Sequence, residues 1–296
     1  MSIACRSIKI IANPISGKGR SLKILGKIEN LLSRESVYFE TIRTGMQGDA
    51  TNSAAVLAGF DAVIGIGGDG TINEIISGML ASNPVPLLVI PVGTGNVIAK
   101  ELGLHCSAFY AEKLLTSFKI RLLDVGICGN GRCFVSMLGA GFDGSVVREF
   151  HGLRKGTTNH IMQYLPFALN SALRYKFPRI TVKADGKVIT DSAGFVQVAN
   201  ARSYGGPFVF APGAVPDDGL LDVVWFKGHG FPGVFKLFWA AFLRDPLRRA
   251  GAKTIRARHI ELSSSSGTPV QLDGDPAGFL PVSITIKPGA IPFLVK

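Results

Sequence analysis

The sequence lacks any stretch able to cross a bilayer as a helix. Its longest apolar segment, residues 231–243, is interrupted by Pro232, Gly233 and Lys236, whereas a spanning helix needs about 20 apolar residues in a row. Cysteine is scarce, and Cys5, Cys106, Cys128 and Cys133 stand at neither metal-ligand nor redox spacings. Reduced thiols are therefore expected. No secretory leader is visible, since the first apolar stretch is broken by Lys9 and ends at Asn13-Pro14, so a cytoplasmic location is expected. Internal repeats, heptad arrays and low-complexity tracts are absent as well. Acidic residues are in short supply, 21 against 32 lysines and arginines, for a formal charge of +11 at pH 7. That excess raises the local concentration of anionic partners such as nucleotides, nucleic acid or an acidic membrane surface. Nucleic acid is set aside, because no recognition module accompanies the charge.

What is present suits two domains of ordinary size in 296 residues. From residue 7 to about 120, short apolar runs alternate with amphipathic segments, the pattern of βαβ units around a mostly parallel sheet. SIKIIA is the first run; Leu22, Leu25, Ile28 and Leu32 then recur at helical spacing, and further runs stand at 62–66 and 87–90. After Asp124 the texture changes to short alternating stretches separated by turn signals. Asn130-Gly131 marks a hairpin within 125–137, and strands are expected at 195–199, 221–226, 259–262, 270–272 and 282–286. Helices are expected at 159–174 and 231–243. The predicted fold is thus an α/β domain over 1–123 with a mostly parallel sheet, followed by a largely antiparallel, β-sandwich-like domain over 124–296.

The run at 62–66 leads into GIGGDGTINE, four glycines around one aspartate. A glycine-rich turn between a strand and a helix usually receives phosphate on its backbone N–H groups, which makes the carboxylate of Asp69 odd. A dinucleotide-binding reading is weakened because the loop belongs to a later βα unit and no acidic residue ends the next strand. A P-loop fails, since GKG at 17–19 lacks the required spacing and the Ser/Thr after lysine. A carboxylate beside a phosphate cradle makes sense when Mg²⁺ lies between them. ANPISGKG (12–19) and PVGTGN (91–96) follow other strands, and the first offers Asn13 and Ser16 to phosphate, the second Thr94 and Asn96. At the carboxyl ends of parallel strands, all three loops can line one crevice.

NPISGKG, GGDGTINE and PVGTGN resemble the three N-terminal motifs of the diacylglycerol kinase catalytic-domain family, which includes bacterial lipid kinases, sphingosine kinases and ceramide kinases. The similarity continues in the family's order through DVGICGNGRCFVSMLGAGFDGSVV, VANARSYGGPFVFAPGAVPDDGLLDVVW and QLDGDPAG. GGDGT alone also occurs in NAD kinases; the collinear set does not. The resemblance implies transfer of the γ-phosphoryl group of ATP, with Mg²⁺, to a lipid hydroxyl, in a cleft between the two domains. By it, Asn13, Ser16, Thr44, Gly67, Gly68, Asp69, Gly70, Thr71, Asn73 and Thr94 contact ATP, with Asp69 near the catalytic Mg²⁺. The proton acceptor falls in the motif usually written Asp-Gly-Glu, here Asp273-Gly274-Asp275. Asp275 is one methylene shorter than the usual glutamate, so Asp273 and Asp275 both stand as candidates, with Asp273 favoured. PDDGLLD resembles the family's structural Mg²⁺ loop, with Val215, Asp218 and Leu220 as ligands; read alone, Asp-Asp-Gly is an ordinary turn. Asp124 and Asp143 are strand-end acids suited to orienting the base or the metal.

Ser145 stands where sphingosine kinases carry an acid for a lipid amine, which favours a neutral acceptor such as diacylglycerol. The aromatic segment 231–243 precedes Arg244, Arg248, Arg249, Lys253, Arg256 and Arg258, suiting peripheral contact with an anionic membrane; a helix packed on the β domain explains it equally. A homodimer is open on the sequence. The rival functions are an NAD kinase-like enzyme and a non-catalytic nucleotide- or lipid-binding protein of the same fold. If the aspartates act as assigned, Asp69→Asn and Asp273→Asn abolish transfer and leave melting nearly unchanged.

Overall fold

The run SIKIIA forms β1 (Ser7–Ala12), and in the computed structural model, which describes residues 5–152, 175, 177–204, 208–228 and 230–296, its Ile8, Ile10 and Ile11 are fully buried. The helix expected at 159–174 lies outside the described residues. β1 pairs in parallel with β2 (Tyr38–Arg43) on one side and β3 (Ala62–Gly67) on the other, and β3 pairs in parallel with β4 (Leu87–Pro91). β3 and β4 are buried along their whole length, as continuous apolar runs covered on both faces should be. Between the strands run α1 (Arg20–Arg34), α2 (Asp49–Ala54) and α3 (Asp69–Leu80), followed by α4 (Val97–Glu101) and α5 (Ala108–Thr116). In α1 the core face is Ser21, Leu25, Ile28, Leu31 and Leu32. Leu22 is exposed instead: two steps of three residues carry it about 120° around the helix from Ile28.

The chain divides into two compact units, one of residues 1–123 with 289–296, the other of 124–288. It passes from the first to the second within β5 (Lys119–Cys128) and returns within β18 (Val282–Val295). The expected second domain, 124–296, thus differs from the compact unit in its last segment. There Phe293 sits beside Leu87 and pairs with β4 in parallel. The reason is physical: β4 would otherwise present an unpaired edge.

In the second unit β5 makes a hairpin with β6 (Cys133–Phe134), Ile127 opposite Cys133, around Asn130-Gly131. The chain continues through β7 (Met137–Gly141), α6 (Phe142–Gly152), β8 (Ile180–Ala184), β9 (Lys187–Ala193), β10 (Phe195–Ala199), β11 (Ser203–Tyr204), β12 (Phe208–Val209) and β13 (Leu221–Phe226). Helices Gly230–Phe242 and Pro246–Ala250 precede β14 (Lys253–Ala257), β15 (His259–Ser264), β16 (Pro269–Leu272) and β17 (Asp275–Phe279). One antiparallel sheet has the order β14-β13-β10-β7-β16-β17; the other runs β18-β15-β8-β9. Leu138, Val196 and Val223 of the first interlock with Val182, Ile260 and Ile284 of the second, a sandwich as predicted. The β8–β9 hairpin, which the strand expectations omit, turns at Asp185-Gly186 with φ of 46° and 80°, the backbone a two-residue hairpin turn requires. Among the described residues no helix is long and apolar enough to cross a membrane.

Candidate functional site

In the first unit, three of the parallel strands end in glycine-rich turns, and the structure locks these turns together. Val92 N–H donates to the Gly67 carbonyl and Asn13 N–H to that of Ile66, at 3.0 and 2.9 Å. The Asn13 amide Nδ2 donates to Thr71 Oγ1 at 3.2 Å. A Cβ on Gly93 would lie 2.6 Å from the Gly68 Cα, so these backbones touch only because neither residue has a side chain. Likewise a Cβ on Gly17 would meet the Val92 carbonyl at 2.6 Å. Residues 17–19 are all left-handed, Lys18 included at φ 54°, a conformation costing roughly 1–2 kcal/mol for a residue with a side chain. Strain of this kind collects where a loop serves a ligand.

Asp69, the odd carboxylate, opens α3 and ties its loop to the next one. Its two oxygens accept the N–H groups of Asn96 and Val97, each at 2.6 Å. Burial raises its pKa; the Val97 and Asn96 amides and the Lys100 charge oppose that rise. This geometry gives the carboxylate among glycines a structural role: it braces two glycine-rich turns by closing the N-terminus of α4. Asn96 completes the brace, donating from Nδ2 to the Gly93 carbonyl at 2.6 Å, while its buried Oδ1 has no hydrogen-bond partner among the described residues.

Of the other expected nucleotide contacts, Gly67 and Thr71 are buried, Gly68 and Asn73 are partly buried, and Gly70 is exposed at the start of α3, where N–H groups lack helical partners. Thr94 is exposed in the loop after β4, and Ser16 is partly buried with its N–H on the Asn13 carbonyl. Thr44 follows β2, where its N–H donates to Ala12 at 3.0 Å and its side chain is buried. All these residues stand at the carboxyl ends of β1–β4.

In the second unit, Asp273 is held at φ 47° with both oxygens on backbone amides. Oδ2 accepts Val135 N–H at 2.7 Å, and Oδ1 accepts those of Ser136 and Met137 at 2.9 and 2.8 Å. Asp275 begins β17 and is partly buried. Behind this turn lies a polar cluster that reasoning from sequence caught only in Asp143. Gln197 and Gln271 flank Gly139 from the neighbouring strands β10 and β16, and the Asp143 carboxylate fills the space where Gly139 has no side chain. Gln271 Nε2 donates to Asp143 Oδ2 at 2.8 Å while its Oε1 accepts Gly274 N–H at 2.7 Å. One amide therefore joins Asp143 to the Asp273–Asp275 turn. Burial pushes the Asp143 carboxyl up to about 6, against the Gln271, Tyr204 and Gln197 side chains, which lower it. The visible signal was a glutamine amid buried apolar residues in FVQVA and again in PVQL.

Val215, Asp218 and Leu220 lie together on the turn before β13. Asp218 Oδ1 accepts Leu220 N–H at 3.1 Å, and its other oxygen pairs with the Arg256 guanidinium. Asp124, buried, accepts Gly219 N–H at 2.7 Å. Among the described residues no group of three or more His, Cys, Asp or Glu side chains is placed to hold a metal.

Comparison with known proteins matches both units. Residues 7–128 fit the family model described as the diacylglycerol kinase catalytic domain, and residues 136–295 fit the YegS C-terminal NAD kinase beta sandwich-like domain. A protein named diacylglycerol kinase from Bacillus subtilis is 27% identical over 277 residues, 92% of this chain and 91% of that one. One of the same name from Mycobacterium tuberculosis is 28% identical over 295 residues, 97% and 94% of the two chains. A crystal structure titled as a diacylglycerol kinase from Bacillus anthracis superposes with a TM-score of 0.80 at 27% identity, covering 99% of this chain and 98% of that one.

Proposed function

Because the chain belongs to the diacylglycerol kinase catalytic-domain family, with the YegS-type β-sandwich-like C-terminal part, we propose that it is an ATP-dependent lipid kinase whose acceptor is the hydroxyl of diacylglycerol or a related neutral lipid. The observation that carries this reading is the interlocked set of turns after β1, β3 and β4. A Cβ at Gly93 or Gly17 would break it, so the glycines keep backbone N–H groups close together at the strand ends, as an anion site requires.

Bound MgATP supplies the γ-phosphoryl group and the cation that neutralises its charge. The chain's own residues do the rest. Amides at the start of α3 and of residues 93–95 orient the phosphates, and Asp69 keeps the two turns in register through Asn96 and Val97. Phosphoryl transfer passes through a loose transition state, so catalysis is mostly positioning and charge stabilisation. The acceptor hydroxyl becomes acidic only late, and a weak base in a fixed place suffices. Asp273 answers that description, since three backbone amide donors hold its carboxylate in one place. Gln271 and Asp143 fix the turn that carries it.

In the set Val215, Asp218 and Leu220, Asp218 brings the one carboxylate, so a structural Mg²⁺ there would have to displace Arg256 from it; no step of the mechanism depends on that loop.

The test is transfer of labelled γ-phosphate from ATP with Mg²⁺ into micellar diacylglycerol, ceramide, sphingosine, monoacylglycerol and phosphatidylglycerol, with NAD alongside. Label is expected in diacylglycerol or a neutral relative. Label in NAD alone would sink the lipid-kinase reading, and binding of nucleotide with no label anywhere would mark a non-catalytic binder.

A further inference from the structure

Helix Gly230–Phe242 has two unlike faces. Val234, Leu237, Ala240 and Ala241 are buried against Phe195, Phe210 and Phe226 of the sandwich. On the opposite side Phe235, Trp239 and Phe242 are 58, 54 and 48% exposed, and Leu243 just beyond the helix is 40% exposed. At about 100° per residue, positions 235, 239 and 242 fall within an arc of roughly 60°. Their rings form one strip, with Phe235 and Trp239 centroids 6.3 Å apart at 9° and Trp239 and Phe242 5.8 Å apart at 26°. Contiguous exposed aromatics of this kind mark an interaction surface. The sandwich core explains one face of the helix and leaves this one unexplained.

The surroundings say what covers it. Lys236 on this helix, Arg244 just after it, and Arg248 and Arg249 on the following helix are all exposed. The single acid in 230–250 is Asp245, and its carboxylate accepts Arg248 N–H at 3.3 Å and meets Arg249 Nε at 3.8 Å. A second copy of this chain would bring the same cations against themselves, which is repulsive. We propose that this face is a docking surface for an anionic bilayer. The helix lies in the plane of the membrane, Phe235, Trp239 and Phe242 enter the headgroup and acyl boundary, and the basic residues meet lipid phosphates. The proposal concerns where the protein works and not what it phosphorylates, so its test needs neither ATP nor diacylglycerol.

The chain has two tryptophans. Trp225 is 6% exposed and Trp239 is 54% exposed, so Trp239 emission reports on the strip, and a Trp225→Phe background isolates it. With phosphatidylglycerol vesicles, Trp239 emission should shift to the blue, and protein should sediment with the vesicles. Phosphatidylcholine vesicles should do neither. Phe235→Ala with Trp239→Ala should weaken sedimentation at least about tenfold. Arg244→Ser and Arg248→Ser should weaken it by roughly fivefold each and flatten its salt dependence. The arginine side chains are exposed, so those variants should melt like the parent; the Phe235/Trp239 variant loses half-buried rings and is compared well below its own melting temperature. Unchanged emission on anionic vesicles, equal binding to phosphatidylcholine, or undiminished binding by the Phe235/Trp239 variant would each overturn the proposal. So would a blue shift that grows with protein concentration in the absence of vesicles, which would assign the face to self-association.

Discussion

Asp69 and Asp273 look, in the sequence, like carboxylates waiting for a metal and a proton. Their roles as contacts of the nucleotide and the acceptor are proposals, but their surroundings change what a substitution tests. In each carboxylate both oxygens accept backbone N–H groups. Replacing either by asparagine turns one acceptor into an NH₂ group facing an N–H donor, and an unsatisfied buried donor costs about 1–3 kcal/mol. Asp69→Asn and Asp273→Asn should therefore lower melting as well, which the sequence alone does not lead one to expect. Both should lose transfer, and both should melt several degrees lower, with Asp69→Asn also weakening binding of a non-hydrolysable ATP analogue. Thermal melts and analogue titration check this. Parent-like melting in both variants would mean these amide bonds do not hold the loops. Sequence could not have shown the difference, because the partners of Asp69 lie 27 and 28 positions away and those of Asp273 lie 136 to 138 away.

Elements were legible where burial made them uniform. β3 and β4 read as continuous apolar runs because both faces are covered, and β1 is broken only by Lys9. β2 did not, since YFETIR is partly exposed along its length at the edge of the sheet and carries no clear period. β10 and β16 read as strands, yet their glutamines made sense only once the register put both beside Gly139. That cluster has a measurable consequence. Asp143, pushed up to about 6 by burial, has an unfolded value near 3.9, so the folded state binds the proton more tightly. Its contribution is most favourable below about pH 4, falls as pH rises toward 6, and is a constant cost of roughly 3 kcal/mol above that. Asp143→Asn can still present an oxygen to Gln271 and carries no charge to bury. The stability difference between the variant and the parent should therefore grow in the variant's favour from pH 4 to 7 and then level off, as read by urea unfolding at each pH. A difference that does not change with pH would show that Asp143 is ionised at no cost.

At the scale of the whole chain, the order of elements was legible and the ownership of the last strand was not. β18 is 14 residues long, and its beginning reads as one more member of an antiparallel sheet, as it is where Ile284 faces Ile260. Nothing local says that the same strand continues into the first unit. There Ile291, Phe293 and Leu294 are fully buried, and each such side chain contributes about 1.5–3 kcal/mol. Their sum is comparable with the entire stability of an ordinary domain, about 5–15 kcal/mol. Removing residues 289–296 should therefore unfold or severely loosen the parallel-sheet unit, although nearly all of that unit precedes residue 124. Hydrogen exchange measured by mass spectrometry should show protection lost across β1, β3 and β4, while β10 and β13 of the sandwich, whose central pairings lie within 124–288, stay protected. Retained protection in β3 and β4 would mean that the first unit folds without its last strand.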